Sequence, residues 1–145
     1  LLAPLGAVDA VALSPPCTPF SPAGLRDPND PRADLTMAGL QVACRLRPRV
    51  ILLENVPQLL EHKGGDTWRA CRALLELSGY TVQFEEVDAA HFVPQRRARF
   101  FVVATTSDVT VDFAGAAAAV ARRPKVTLRS AFPSWSGCYY LRHRR

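Results

Sequence analysis

Three short stretches of this sequence carry residue types that could do chemistry. The first is Ser14-Pro15-Pro16-Cys17-Thr18-Pro19-Phe20-Ser21, in which prolines frame a single thiol. Proline fixes its own φ and has no amide donor, so it ends a strand and stiffens the backbone around Cys17. The second, Glu54-Asn55-Val56-Pro57, puts a carboxyl at the end of an apolar run, and the third, Pro94-Gln95-Arg96-Arg97-Ala98-Arg99, supplies guanidiniums. A thiolate is a strong nucleophile and a positive neighbourhood favours it, while a carboxyl can hold or move a proton. Each stretch also has a plain structural reading. A free cysteine packs as a small buried hydrophobe. Glu54 can simply pair with a lysine or arginine, Asn55 can brace its turn, and a basic run is commonly a solvated loop.

The elements around these stretches decide whether they meet. Val8–Leu13 reads as a buried strand that runs into the first stretch. A long loop, roughly 18–33, follows; loops of that length are usually functional or mobile. Asp34 can cap a helix over 35–47 whose apolar face includes Leu35, Leu40, Ala43 and Leu46, with Pro48 as its stop. Arg49–Leu53 is a second strand, too continuously apolar for a one-sided sheet. Together these make a βαβ unit with parallel strands, so Cys17 and Glu54 are expected just past the carboxyl ends of their strands on one sheet edge, where open α/β sheets place their crevice.

Asp66 can cap the next helix, 67–78, with Trp68, Cys71, Leu74, Leu75 and Leu77 facing inward and Gly79 ending it. Tyr80 to about 88 and Arg99–Thr105 are two more strands, joined by about ten residues. That is too short for a crossover helix, so the pair is predicted to be antiparallel. The last strand then starts at the edge where the others finish, with Gln95, Arg97 and Arg99 alternating onto one face toward Cys17 and Glu54. Ala114–Ala121 is expected as a short helix and 126–132 as the start of another element, while Trp135–Arg145 shows no periodic pattern.

A 48% hydrophobic fraction over 145 residues suits one domain or part of a larger one. The four cysteines (17, 44, 71 and 138) form neither a CxxC pair nor a zinc-ligand spacing, so no metal is expected. There is no secretory signal pattern and no apolar run of membrane-spanning length; the expected setting is cytoplasmic or nucleoid-associated, with reduced thiols and no membrane partner. The net charge of +5 is uneven: residues 113–145 carry seven basic residues and no acid, while 1–112 carry 11 basic against 13 acidic. The expected organisation is therefore a partial catalytic domain at 1–108 and a basic, weakly structured tail at 109–145. The chain starts at Leu1 and runs almost directly into a strand, which suggests further sequence upstream.

Taken together, the three stretches resemble the cytosine-C5 DNA methyltransferases. Pro15-Pro16-Cys17-x-Pro19-Phe20-Ser21, Glu54-Asn55-Val56 and Pro94-Gln95-Arg96-Arg97-x-Arg99 occur in that family's order and spacing, and the resemblance covers about residues 8–106. It implies an α/β fold: a partial Rossmann-like methyltransferase sheet of parallel strands with an antiparallel strand near its C-terminal end. It implies Cys17 as the nucleophile that adds to carbon 6 of cytosine, Glu54 as the group acting on ring N3, Arg99 as the contact to the base O2, and Arg97 in support. Substrate contacts are implied for Ser21, Asn55 and Gln95, and cofactor contacts for Pro16 and Leu35. The implied cofactor is S-adenosylmethionine and the implied partner double-stranded DNA, in restriction–modification or a similar system, with no oligomer expected. A carboxyl that donates near neutrality needs its charged form disfavoured, as burial at a sheet edge would do.

The sequence departs from the family pattern at Thr18, where glutamine is usual, and at Phe92, where glycine is usual. The glycine-rich cofactor turn, the acidic residue one strand later and the target-recognition region have no counterpart in these 145 residues, so the chain by itself is expected to be an inactive fragment. The alternatives are an RNA cytosine-C5 methyltransferase, a non-enzymatic remnant, or half of a split enzyme with a complementing chain.

Overall fold

Residues 7–17 and 34–131 are described by a computed structural model; the 18–33 loop with Ser21, and everything after 131, lie outside the described residues. Four strands form one sheet: β1 (Ala10–Leu13), β2 (Val50–Asn55), β3 (Thr81–Asp88) and β4 (Ala98–Thr105), in the order β1-β2-β4-β3. β1 and β2 are parallel, with Leu13 opposite Leu53, and the helix α1 (Asp34–Leu46) makes the crossover between them. β4 is antiparallel to both of its neighbours. The mixed α/β sheet expected from the sequence is thus observed, and β4 enters it where β2 and β3 leave.

β2 extends further than the expected 49–53. Glu54 and Asn55 continue the ladder, opposite Phe101 and Phe100 of β4. This matters because successive side chains on a strand point to opposite faces. Glu54 and Asn55 are neighbours in sequence but belong to different sides of the sheet, and neither lies past the strand end.

One face is covered by α1 and by α2 (Asp66–Leu77). Leu40 and Ala43 of α1 and Trp68, Cys71 and Leu75 of α2 pack on Ile51, Leu53, Phe100, Val102 and Ala104. Two residues assigned to this packing turn away from it: Leu35 is 46% exposed and Leu77 is 89% exposed. At about 100° per residue, Leu77 lies on the opposite side of its helix from Leu75, and Leu35 well round from Leu40. Both helices start at the aspartate expected to cap them (Asp34 and Asp66) rather than after it; for α2 the N-cap is Gly65, at φ 89°.

The centre of the core is aromatic. Trp68 meets Phe84 and Phe100 edge-on, with ring centroids 5.1 and 4.9 Å apart, a geometry that suits the quadrupoles of the rings. α2 ends in a Schellman motif: Gly79, at φ 90°, donates to Glu76 O and Tyr80 donates to Leu75 O. The same turn delivers Tyr80 inward, where its hydroxyl donates to Pro48 O at 2.8 Å and ties the end of α2 to the end of α1.

The opposite face carries α3 (Phe113–Ala121), capped by the Asp112 side chain and held to β3 through the Gln83 amide, which bonds Val111 O and Phe113 N. Leu52 on that face is 44% exposed. A last turn, α4 (Leu128–Ala131), follows. No helix among the described residues is long and apolar enough to cross a membrane. Phe100 is 1% exposed and packs its ring against Trp68 of α2 and Phe84 of β3, so Phe100→Ala should destabilise the fold by about 3–5 kcal/mol. Urea unfolding followed by tryptophan fluorescence, which Trp68 reports, measures this directly.

Candidate active site

Cys17 lies four residues beyond the end of β1, half-buried, with its apolar side against the core. Two prolines carry the chain from the strand to it. The thiol opens into a cleft of about 720 Å³ whose far wall is the segment 95–99, and Val56, Pro57, Gln58 and Glu86 form the remaining sides. Gln95, Arg97 and Arg99 therefore share one cleft with Cys17. They do not reach it by strict alternation as expected, because Gln95 sits in a tight turn, its amide donating to Val93 O, and the regular strand begins only at Ala98.

Glu54 stands on the other side of the same arginines. Arg97 and Arg99 also line a smaller hollow of about 270 Å³ together with Glu54, Phe92 and Phe101. Arg99 Nε is 2.8 Å from Glu54 Oε1, with side chains 20% and 29% exposed, and Arg99 Nη1 donates to its neighbour's carbonyl at Ala98. The second carboxylate oxygen of Glu54 accepts a hydrogen bond from Ser14 Oγ at 2.5 Å. A guanidinium and a hydroxyl occupy the two oxygens of Glu54. The burial expected at this position is thus only partial, and an ion pair dominates the surroundings.

Ser14 has no separate role in the sequence reading. Its signal is the strand register: with Leu13 opposite Leu53 in a parallel pair, the next residue on each strand brings 14 beside 54. Glu54 is consequently held from both flanks, by a hydroxyl following β1 and a guanidinium from β4.

Asn55 occupies the helix-covered face, 1% exposed, and its Oδ1 accepts from Val56 N at 2.8 Å. It closes the turn after β2 and does not open into the cleft. Pro16 and Leu35 are exposed. Among the described residues no group of three or more His, Cys, Asp or Glu side chains could hold a metal ion.

The sequence and the fold around this site have counterparts among known proteins. The family model for C-5 cytosine-specific DNA methylases matches residues 3–132. The chain belongs to that family. Among curated relatives, the type II methyltransferase M.Bsp6I of Bacillus sp. (strain RFL6) is 36% identical over 92 residues, 61% of this chain and 29% of the relative. The type II methyltransferase M.AgeI of Thalassovita gelatinovora is 34% identical over 108 residues, 74% of this chain and 25% of the relative. The chain therefore spans about a quarter of the length of these relatives. In fold it resembles an E. coli prophage protein described as a DNA modification methyltransferase (TM-score 0.67, 23% identity, 88% of this chain and 35% of that one). It also resembles the S. pombe Dnmt2 methyltransferase (TM-score 0.54, 29% identity, 71% and 32%).

Within this methylase fold the described cysteines differ sharply. Burial pushes the Cys71 thiol up to about 11, while Cys17 faces the cleft. A thiol with that value is almost wholly protonated at pH 8 and shielded as well. Iodoacetamide at pH 8 should therefore leave Cys71 unmodified in the native protein and alkylate it only after denaturation, whereas Cys17 should react in the native state; peptide mass mapping reads both.

Proposed function

We propose that this protein is a DNA (cytosine-5-)-methyltransferase in which Cys17 attacks the base and Glu54, Arg99 and Arg97 manage its charge. The observation that supports this most is the shared wall of arginines, which open toward the Cys17 thiol on one side and the Glu54 carboxylate on the other. The proposal follows from what cytosine requires. Carbon 5 is too electron-poor to take a methyl group. A Cys17 thiolate forms a bond to carbon 6, the ring double bond shifts, and carbon 5 becomes enamine-like. The negative charge that the ring gains falls on N3 and O2. On this reading Arg99 donates to O2, the role that the family resemblance implies for it, and Arg97 supports the cleft wall. After methyl transfer a base removes the carbon 5 proton, the carbon 6–sulfur bond breaks and Cys17 leaves as thiolate.

Glu54 needs a proton to serve N3, and its two partners decide where that proton sits. Arg99 can only donate, so Oε1 remains an acceptor. Ser14 is a hydroxyl, which donates or accepts. A proton on Oε2 can face N3 once the Ser14 hydroxyl turns its own hydrogen away from that oxygen, while the Arg99 contact on Oε1 stays intact. Asn55 acts as a brace beneath this pair, and Gln95 remains a candidate contact to the substrate strand. Ser21 matches a phosphate contact by family resemblance alone.

S-adenosylmethionine is the methyl donor that the family implies. Pro16 and Leu35 would give it apolar contact only, and no glycine turn or ribose carboxylate is built among the described residues. They do not make a cofactor site by themselves; what this chain's residues do concerns the cytosine ring. The substrate we propose is cytosine in double-stranded DNA, extruded from the stack for reaction, within restriction–modification or a similar system. All the residues given chemical roles fall within 1–108.

Trapping with duplex DNA that carries 5-fluorocytosine tests this in the full-length protein, because the fluorine cannot leave and the adduct persists. Cys17→Ser should abolish the adduct, and an adduct of wild-type yield would overturn the assignment. Glu54→Gln and Arg99→Ala should each slow adduct formation by ~10²–10³, with a smaller loss of DNA affinity in a filter-binding titration. Loss of affinity alone would make them positioning residues. A single-stranded RNA arm in the same experiment separates the DNA reading from the RNA alternative.

A further inference from the structure

The arginines that form the cleft wall arrive on an excursion from the sheet. β3 ends at Asp88 and β4 begins at Ala98, and residues 89–97 between them carry Gln95, Arg96 and Arg97. Such a loop needs something to fix its exit, since its backbone path sets where each guanidinium points. Part of the closure is main-chain: Ala89 N donates to Arg97 O at 3.1 Å. The rest is one side chain. Asp88 Oδ1 accepts from Ala90 N at 3.0 Å, where the loop leaves, and from Arg97 N at 2.9 Å, where it returns.

The other oxygen of Asp88 faces a distant segment. Lys125 Nζ is 3.1 Å from Asp88 Oδ2. Residues around Lys125 lie against the same loop as a strap. Val126 N donates to Ala90 O, and His91 Nδ1 donates to Arg123 O at 2.8 Å. The Arg123 guanidinium sits 5.3 Å over the centre of the Phe92 ring. Phe92 in turn lines the hollow that holds Glu54 and Arg99.

We propose that Asp88 is the positioning residue of the arginine cleft: its carboxylate fixes the backbone from which Arg97 and Arg99 project, and the Lys125 strap couples that backbone to the chain beyond the sheet. The inference rests on the proposed role of those arginines. Charge suits the task. A carboxylate accepts several hydrogen bonds at once, and bonds with a charged partner are roughly twice as strong as neutral ones. The two amides and the Lys125 ammonium hold the Asp88 carboxyl well below the usual carboxylate range. The clasp is therefore complete at any pH above that range and is lost only as pH falls through the lowered value. Among the described residues, the charged group that pairs with Asp88 is Lys125 from the strap. A role of Asp88 in the overall fold alone would weaken the whole sheet. A positioning role loosens the loop and leaves the sheet as it was.

Amide hydrogen exchange by NMR, with the 5-fluorocytosine adduct rate measured on the same full-length protein, separates the two. Asp88→Ala should speed exchange at Ala90 and Arg97 by at least ~10-fold, leave Val102 and Ala104 in β4 unchanged, and slow adduct formation by ~10²; a 1 Å misplacement far from the chemistry can cost that much. Asp88→Asn keeps an oxygen for the Arg97 amide and should restore most of both. Lys125→Met should leave Arg97 protected and slow the adduct only several-fold. Unchanged exchange at Arg97 in Asp88→Ala, protection lost evenly over the sheet, or no rescue by Asp88→Asn would each overturn the proposal. If Asp88→Ala does not fold, Asp88→Asn and Lys125→Met still decide it, because a strap without influence leaves the adduct rate of Lys125→Met at the wild-type value. If Arg97→Ala and Arg99→Ala form the adduct at full rate, the functional reading fails, while exchange at Arg97 continues to report whether Asp88 holds the loop.

Discussion

The Glu54–Arg99 contact depends on one backbone event, the entry of β4 between β2 and β3 against their direction. A parallel strand in that place would start at the far edge of the sheet, and its first residues would lie a full strand length from the end of β2. The antiparallel strand starts where β2 stops. Its second residue, Arg99, then lies two positions along the ladder from Phe101, the partner of Glu54, and on the same face. The 2.8 Å ion pair follows from that register. The short link between β3 and β4 selects the arrangement, since a hairpin-like return needs no crossover helix.

Period-two alternation then sorts the candidate-site end of the sheet into two sides. Ile51, Leu53 and Asn55 face α1 and α2, as do Phe100 and Val102 of β4. The aromatic contacts of Trp68 and the buried methyls of the helices lock this side, and a one-residue slip would move the whole apolar set to the other face. The same register that buries Phe100 therefore turns Arg99 and Phe101 away from the helices. Core packing and site geometry are not separate achievements here: the apolar residues on one face hold the polar residues on the other in place.

Around Glu54 the donors differ in kind, and the difference is chemical. The Arg99 guanidinium keeps one carboxylate oxygen an acceptor, while the Ser14 hydroxyl can turn around. On the proposed reading this pair lets one carboxyl serve in both protonation states without losing its position. The proline pair that follows Ser14 carries the chain on to Cys17, so the same short segment supplies a ligand for the carboxylate and the thiol of the cleft.

Much of this was legible before any coordinates. The apolar run 50–53, the alternation after Tyr80, the glycine at 79 and the nine-residue link to β4 are local signals, and each specified its element or direction because strand pairing, helix termination and loop length obey short-range rules. The three chemical stretches were identifiable by residue type and order. What the sequence could not settle depends on registers and angles between distant parts. Whether β2 stopped at Leu53 or continued through Asn55 was decided by the availability of Phe100 and Phe101 as partners, and with it the faces of Glu54 and Asn55. The outward turn of Leu35 and Leu77 was decided by how α1 and α2 rest on the sheet. The pairing of Ser14 with Glu54, 40 residues apart, and of Asp88 with Lys125, 37 apart, has no local signature at all. Composition and spacing determine which groups a chain brings; only the tertiary register decides which of them come within hydrogen-bonding distance, because that distance is set by backbone partners far along the chain.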